Sequence, residues 1–313
     1  MAVLIDPPRW PAHGTVFSHL VSDASLEELH GFAAAHGLSP RAFDLDHYDV
    51  PAHRHAELVA AGALAVDGGE LVRRLIRSGL RVPARRRDGR AEPVLRRRWA
   101  RLFAGTDASP DAVTAAGAEL LGRWSEPHRR YHAPAHLLAV LQAVDLLSAA
   151  GEDLGPHPLA VPLAAWLHDA VYTADPARGP GADEEDSARL AERLLAAPGL
   201  ALGDDVVAET ARLVRLTAEH RPAPDDAAGA VLCDADLEVL GRAPHDYEAY
   251  VDLVRADFAH VPDEAWRTGR AAVLEGLLGA DRLYATAAGR ARWEDPARAN
   301  LERELAAHRP ALS

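Results

Sequence analysis

The stretch Pro162-Leu163-Ala164-Ala165-Trp166-Leu167-His168-Asp169-Ala170-Val171-Tyr172 sets an imidazole and a carboxylate side by side in an otherwise apolar, helix-like run. A buried ionisable group in such a run is costly unless it has a partner. Two other alanine- and leucine-rich stretches pose the same problem: His136 follows Pro134-Ala135, and Asp236 lies in Cys233-Asp234-Ala235-Asp236-Leu237. A single divalent cation would supply a partner to His136, His168, Asp169 and Asp236 together. On a regular helix adjacent side chains diverge by about 100°, so His168 and Asp169 meet one ion only if their rotamers converge or the helix is distorted there. Asp234 and Asp236 stand two apart and cannot both face that ion from one helix.

Outward from this stretch the pattern beyond Glu92 is helical. Ser109-Pro110-Asp111 reads as an N-cap with proline at the first helical position, opening a helix that reaches Trp124. Pro134 opens the next, and residues 162–172 form another. Further helices are expected over 184–195, 205–220, 232–240, 247–260, 263–278 and 296–308, with glycine and proline clusters between them. The expected outcome is an all-α bundle over 94–313.

Residues 1–82 read as a small α/β domain. Val3-Leu4-Ile5 is a strand candidate, and Ser25-Leu26-Glu27-Glu28 is a capping box opening a helix towards His36 and Gly37. A second strand is expected at Ala42-Phe43-Asp44-Leu45, with helices around 52–61 and 70–78. The segment from Arg73 to Arg101 holds twelve arginines against two acids, and its Pro- and Gly-broken centre, 83–93, reads as a linker with helical shoulders. The fold class is therefore α+β, a small α/β domain followed by a helical bundle.

The formal net charge of −13 argues against a general nucleic-acid surface. Every basic residue other than histidine is arginine, which matches a GC-rich coding bias better than selection for phosphate contacts. The lone Cys233 excludes an intramolecular disulfide and a cysteine-rich zinc site, and it fits a reducing compartment. The first residues lack a basic n-region, and no apolar run is long enough to span a bilayer. A cytoplasmic protein without a membrane partner is expected.

Five words extend the His, His-Asp, Asp order: Tyr131-His132-x-x-x-His136, His168-Asp169-x-x-Tyr172, Asp183-Glu184-x-x-Ser187-Ala188, Thr217-x-x-His220 and Asp234-Ala235-Asp236-Leu237. In this order they resemble the HD superfamily of metal-dependent phosphohydrolases, with Asp183 standing where that pattern has Asn. The resemblance implies that His136, His168, Asp169 and Asp236 hold the ion, with Asp234 beside it. Such a nitrogen and oxygen set suits Mn, Fe, Co, Ni or Zn and tolerates Mg. Glu184 is then a candidate to orient water or protonate a leaving group, against the alternative of an acidic helix start favoured by the dipole. His132 and His220 are candidates for phosphate or a second ion; a capping residue and a helix C-terminal cation are their alternatives. Arg129, Arg130 and Arg255 are weaker candidates for phosphate contact.

The implied activity is hydrolysis of a phosphomonoester or phosphodiester of a small molecule, a nucleotide among the candidates. A non-catalytic metal- or nucleotide-binding regulatory module is the alternative. Ala170-Val171-Tyr172-Thr173 replace the acidic residues that follow His-Asp in alarmone hydrolases, which argues against that substrate.

Residues 4–80 resemble a short uncharacterised domain through Asp6-Pro7-Pro8-Arg9-Trp10-Pro11-Ala12-His13-Gly14, Ser18-His19-Leu20-Val21-Ser22-Asp23, Glu28-Leu29-His30-x-Phe32-Ala33 and Asp46-His47-Tyr48-Asp49-Val50-Pro51. His13, His19, Asp23, Asp46, His47 and Asp49 are of metal- or phosphate-binding type, but their spacing matches no ligand template.

Overall fold

Val3-Leu4-Ile5 becomes the first strand of a mixed sheet, as its unbroken apolar run suggests. The computed structural model describes residues 2–12, 15–39, 42–44, 46–78, 80 and 84–308. It divides into two compact units, residues 1–87 and 88–313.

The first unit runs β1 (Val3–Ile5), β2 (Trp10–Ala12), β3 (Thr15–Ser22), α1 (Leu26–Ala35), β4 (Phe43–Asp44), β5 (His47–Pro51), α2 (Ala52–Ala60), β6 (Leu64–Ala65) and α3 (Gly68–Arg77). The sheet order is β4-β5-β3-β1-β6, with β2 also on β3; β1 and β6 are parallel and the other pairs antiparallel. Successive side chains of β3 leave the sheet on opposite faces. Leu20 packs with Ile5, Leu29, Tyr48, Val50 and Leu58, under α1 and α2. Val21 packs with Leu4, Leu71 and Leu75, under α3. The helix expected after Ser25 is capped as anticipated, Glu28 N–H donating to Ser25 Oγ at 3.1 Å. The Glu28 carboxylate does not close the capping box; it turns back to the Ser22 hydroxyl, which also accepts from Ala24 and Ser25 N–H.

The second unit is helical: α4 (Ala84–Leu102), α5 (Pro110–Trp124), α6 (Pro134–Ala149), α7 (Ala160–Leu167), α8 (Ala182–Leu195), α9 (Asp204–Leu216), α10 (Ala227–Asp236), α11 (Pro244–Asp257), α12 (Asp263–Leu278) and α13 (Ala287–His308). The stretch read as a linker is helical in backbone from Ala84 onward, and the division between the units falls inside it. α7 is the hub. It is apolar on every side, buried almost throughout, and packed against α6, α8, α9 and α10. Trp124 packs beside it, its Nε1–H donating to the carbonyl of Trp166 on α7 at 2.9 Å.

Several helix boundaries differ from the sequence reading; α11, expected over 247–260, spans Pro244–Asp257. α7 stops at Leu167, and His168 and Asp169 occupy the turn that follows. α9 stops at Leu216, and the turn through residue 220 ends with His220 at φ 51°. α10 begins at Ala227, where Asp226 caps Gly229 N–H, and yields at Asp236 to a 3₁₀ turn, Leu237–Gly241. Pro296 does not open the last helix but lies inside it: α13 buries Gly289, Trp293, Ala297, Leu301 and Leu305 as a stripe at four-residue spacing, enough to carry the helix through a proline that costs about 3 kcal/mol. Ser109 precedes α5 as expected, but its side chain makes no capping bond. Among the described residues no helix is long and apolar enough to cross a membrane.

Candidate metal centre

His136, His168, Asp169, Glu184, His220 and Asp236 each sit at a helix end. His136 is in the first turn of α6, Glu184 in the first turn of α8, and Asp236 closes α10. His168 and Asp169 follow α7, and His220 follows α9. Three C-terminal and two N-terminal ends are thereby turned on one place, so their partial charges oppose one another, and the ionised Asp169 and Asp236 supply the negative charge that favours a cation.

The side chains of the doublet converge although His168 keeps helical backbone angles, His168 Nε2 meeting Asp169 Oδ2 at 3.2 Å. His168 Nδ1–H donates to Ala165 O at 2.9 Å, which fixes the tautomer and leaves Nε2 facing the site. His168 Nε2 lies 3.2 Å from His136 Nε2, 3.2 Å from Asp169 Oδ2 and 3.4 Å from Asp236 Oδ1. His136 Nε2 lies 3.1 Å from Asp236 Oδ1 and 3.7 Å from Asp169 Oδ2. Donors held about 2.1 Å from one ion stand about 3.0 Å apart across a right angle and about 3.4 Å apart at the tetrahedral angle. The observed spacings are of that size, so the donor set fits a divalent ion. His136, His168 and Asp236 form the group whose donor atoms all lie within 4.8 Å of one another; Asp169 touches both rings from outside that group.

The electrostatics agree. Burial works against the His168 cation, but Asp169 and Asp236 outweigh it and hold its pKa well above the ordinary value. His136, equally enclosed, is pushed down by burial despite its bond to Asp236. Asp236 stays well below the carboxylate range against the cost of burial, through His168, His136 and His220. Two ionised carboxylates, Asp169 and Asp236, thus set a negative potential at the site, which a cation offsets.

Around this core the remaining candidates divide. His220 Nε2 meets Asp236 Oδ2 at 2.8 Å, so Asp236 spans the two imidazoles on one oxygen and His220 on the other. His132 Nδ1 bonds Asp257 Oδ2 at 2.9 Å, its ring stacks on Tyr172, and its Nε2 lies 3.9 Å from Asp169 Oδ2. Glu184 lines the same cavity of about 190 Å³, with His132, His136, Asp169, His220 and Asp236. Burial, with Asp169 and Asp183 close by, raises its carboxyl above the usual range. Glu185 points elsewhere, into a surface cluster with Arg215 and Arg189. Asp183, in the Asn position of the pattern, accepts Thr173 N–H at 2.7 Å and so ties the loop after the doublet to α8.

Asp234 is turned away from the donors. It is buried and accepts Ala285 N–H at 2.7 Å, Thr286 N–H at 2.8 Å and the Thr286 hydroxyl at 2.6 Å, fastening the segment before α13. The arginine candidates for phosphate contact are also drawn off. Arg129 is buried between Trp124 and Tyr172 and donates to the carbonyls of Asp169, Ala170 and His132. Arg130 donates to Pro127 O, and Arg255 to Val261 O and Asp263. Among the described residues no arginine lines the cavity.

Sequence reasoning missed Asp257. It closes α11, is buried, and receives Arg130 N–H, Tyr131 N–H, His132 Nδ1–H and the Tyr172 hydroxyl. Its place 125 residues after His132 leaves no local spacing signal. In the α/β unit, Asp23 is taken by Ala2 N–H and Arg74, whereas His19, His47 and Asp49 converge. His13 lies outside the described residues.

Residues 3–78 match the family model of DUF4031, a protein family of unknown function. No curated protein and no solved structure matches the chain.

Proposed function

We propose that the helical unit is an HD-type, metal-dependent phosphohydrolase acting on a small phosphomonoester or phosphodiester, nucleotides included. The observation that carries this reading is the convergence of His136, His168 and Asp236 from three helix ends, with Asp169 3.2 and 3.7 Å from the two imidazoles, beside a cavity that also holds Glu184, His132 and His220. It rests on the residue pattern and the geometry of this unit itself.

His136, His168, Asp169 and Asp236 would hold the ion, which when bound supplies Lewis acidity towards a phosphoryl oxygen and lowers the pKa of water. The chain's own residues supply the rest. Glu184, whose carboxyl burial raises above the usual range, faces the cavity and is suited to take a proton from attacking water or give one to the leaving oxygen. The His132 ring is fixed by Asp257, which accepts from Nδ1–H and leaves Nε2 facing the cavity as a hydrogen-bonding group for a phosphoryl oxygen or leaving group. His220 holds Asp236 in one orientation. With no arginine on the cavity wall among the described residues, phosphate charge there is met by imidazoles and the ion. A volume of about 190 Å³ admits a phosphoryl group and a small part of what it is attached to, so the remainder of a nucleotide would extend outside it.

The test is a screen of metal-analysed protein against phosphomonoesters, cyclic dinucleotides and nucleoside triphosphates with Mn²⁺, Co²⁺, Ni²⁺, Zn²⁺ and Mg²⁺ supplied in turn. Hydrolysis of at least one class is expected. Glu184→Gln should lower kcat by about 10²-fold or more, the usual scale of general acid–base catalysis, while leaving bound metal unchanged. Metal-loaded, folded protein that hydrolyses none of these classes would overturn the assignment.

A further inference from the structure

A second donor cluster lies on the sheet of the α/β unit, and it is independent of the reading given to the helical unit. β3 and β5 pair antiparallel with His19 directly opposite Asp49. Residues directly opposite in an antiparallel pair share a face, with Cβ atoms about 4.5–5.5 Å apart. His47 stands two residues before Asp49 and so shares that face as well. Tyr48 and Val50, between and beyond them, point into the core under α1 and α2. The strand register therefore gathers two imidazoles and a carboxylate on the side of the sheet that also carries Val21.

The rings are arranged as ligands are. Their centroids are 4.8 Å apart and their planes perpendicular. His47 Nε2 lies 3.5 Å from Asp49 Oδ1, and one donor atom from each of the three residues falls within 4.8 Å of the others. Behind each ring stands a buried carboxylate. His19 Nδ1 bonds Asp6 Oδ2 at 3.1 Å and His47 Nδ1 bonds Asp46 Oδ1 at 2.7 Å. Asp6 is itself fixed by Trp10 Nε1–H at 3.0 Å and His19 N–H at 2.5 Å. A carboxylate can only accept, so each Nδ1 carries a proton and Nε2 is the ring nitrogen left for a ligand bond. Carboxylate behind, imidazole in front and Nε2 forward is the arrangement that orients histidines on metals. Three carboxylates with two imidazoles also leave the cluster rich in negative charge, which a divalent cation offsets.

We propose that His19, His47 and Asp49 bind a divalent transition ion of the Zn²⁺ or Co²⁺ class, with Asp6 and Asp46 as positioning residues. Two nitrogens and one oxygen suit that class, and three protein ligands leave at least one position for water or an added ligand. The cation is small and the third ligand is the exposed Asp49, so the site exchanges metal readily with solvent.

The test uses the full chain and Co²⁺, whose visible absorption reports coordination, with stoichiometry by calorimetry. The His136→Ala, His168→Ala double variant removes the helical donors. It should still take up one Co²⁺, and its affinity should fall more than about 100-fold on adding His19→Ala, beyond the 10–100-fold that loss of an outer partner costs. Asp46→Asn should give a loss within that 10–100-fold band. Should the double variant not fold, the wild type and Asp49→Ala are compared: the stoichiometry should drop by one equivalent with the circular dichroism unchanged. Saturable binding absent from the folded double variant, or a stoichiometry and affinity indifferent to Asp49→Ala and His19→Ala, overturns the site. Neither result depends on hydrolysis, so failure here is separable from failure of the phosphohydrolase reading.

Discussion

In the helical unit four donors arrive from the ends of three helices spread over a hundred residues, and both imidazoles are sealed from solvent. In the α/β unit the donors come from two neighbouring strands, and the carboxylate that completes the set is exposed. The two therefore differ in what holds them. The helical centre exists only when α6, α7 and α10 are packed, so a bound ion there is linked to folding of that unit. The strand cluster needs one pairing, β3 on β5, to be in register. A shift of one residue would send Asp49 to the opposite face. Tertiary packing makes one site; register makes the other.

The largest expected effect separates the two aspartates of α10. Asp236→Ala removes a donor shared by both imidazoles and by His220, and should cost the helical centre its metal and at least about 10³-fold in kcat, the equivalent of about 4 kcal/mol. Asp234→Ala should leave metal binding in place and instead destabilise the helical unit by about 1–3 kcal/mol, because Ala285 and Thr286 lose their buried acceptor. Metal analysis and thermal melts of the two variants check both. The reverse pattern would move the ligand to Asp234. Neither change should touch Co²⁺ uptake by the strand cluster.

Next comes the ion pair that braces α12 against α13. Arg270 and Glu304 are both buried, 2.7 Å apart, and the Tyr247 hydroxyl donates to the same carboxylate. Surface pairs such as Arg96–Glu92 are worth about 0–1 kcal/mol, but Glu304→Gln strands a buried guanidinium and should cost about 3–5 kcal/mol. Burial would raise the Glu304 carboxyl, but Arg270 and Tyr247 hold it below its ordinary 4.5. Its contribution is therefore complete above that ordinary value and is lost as pH falls through the lowered folded value. Denaturant melts of wild type and variant should differ most at neutral pH and converge in acid. A gap constant into strong acid would mean that the pair is not the cause. The α/β transition should not shift.

The smallest effect probes position rather than binding. Asp257→Asn should leave metal content intact while lowering kcat by about 10–100-fold, because an amide can donate where Asp257 now only accepts and His132 loses its fixed tautomer. An unchanged kcat would reduce His132 and Tyr172 to packing.

How much of this was legible in the sequence follows from the same contrast. The helical candidates were marked by local words read through a family resemblance, and of the four His136, His168 and Asp236 come together in one group, with Asp169 against both rings. Those words did not give the ends themselves: α7 stops at Leu167, although His168 keeps helical backbone angles. They also gave no sign of Asp257, whose role is set by tertiary contact alone. In the α/β unit β1, α1, α2 and α3 were readable from apolar runs and caps. β3 was not, since Ser18 and His19 interrupt its apolar pattern, and without β3 the opposition of His19 to Asp49 cannot be read. Register is a relation between strands, and spacing along one chain does not encode it.

The most direct measurement is anomalous diffraction at the Mn edge from crystals of the wild type grown with Mn²⁺. The account predicts a peak within bonding distance of His136 Nε2, His168 Nε2 and the Asp236 carboxylate. Fully ordered side chains at these positions with no anomalous peak among them, at saturating Mn²⁺, would contradict it.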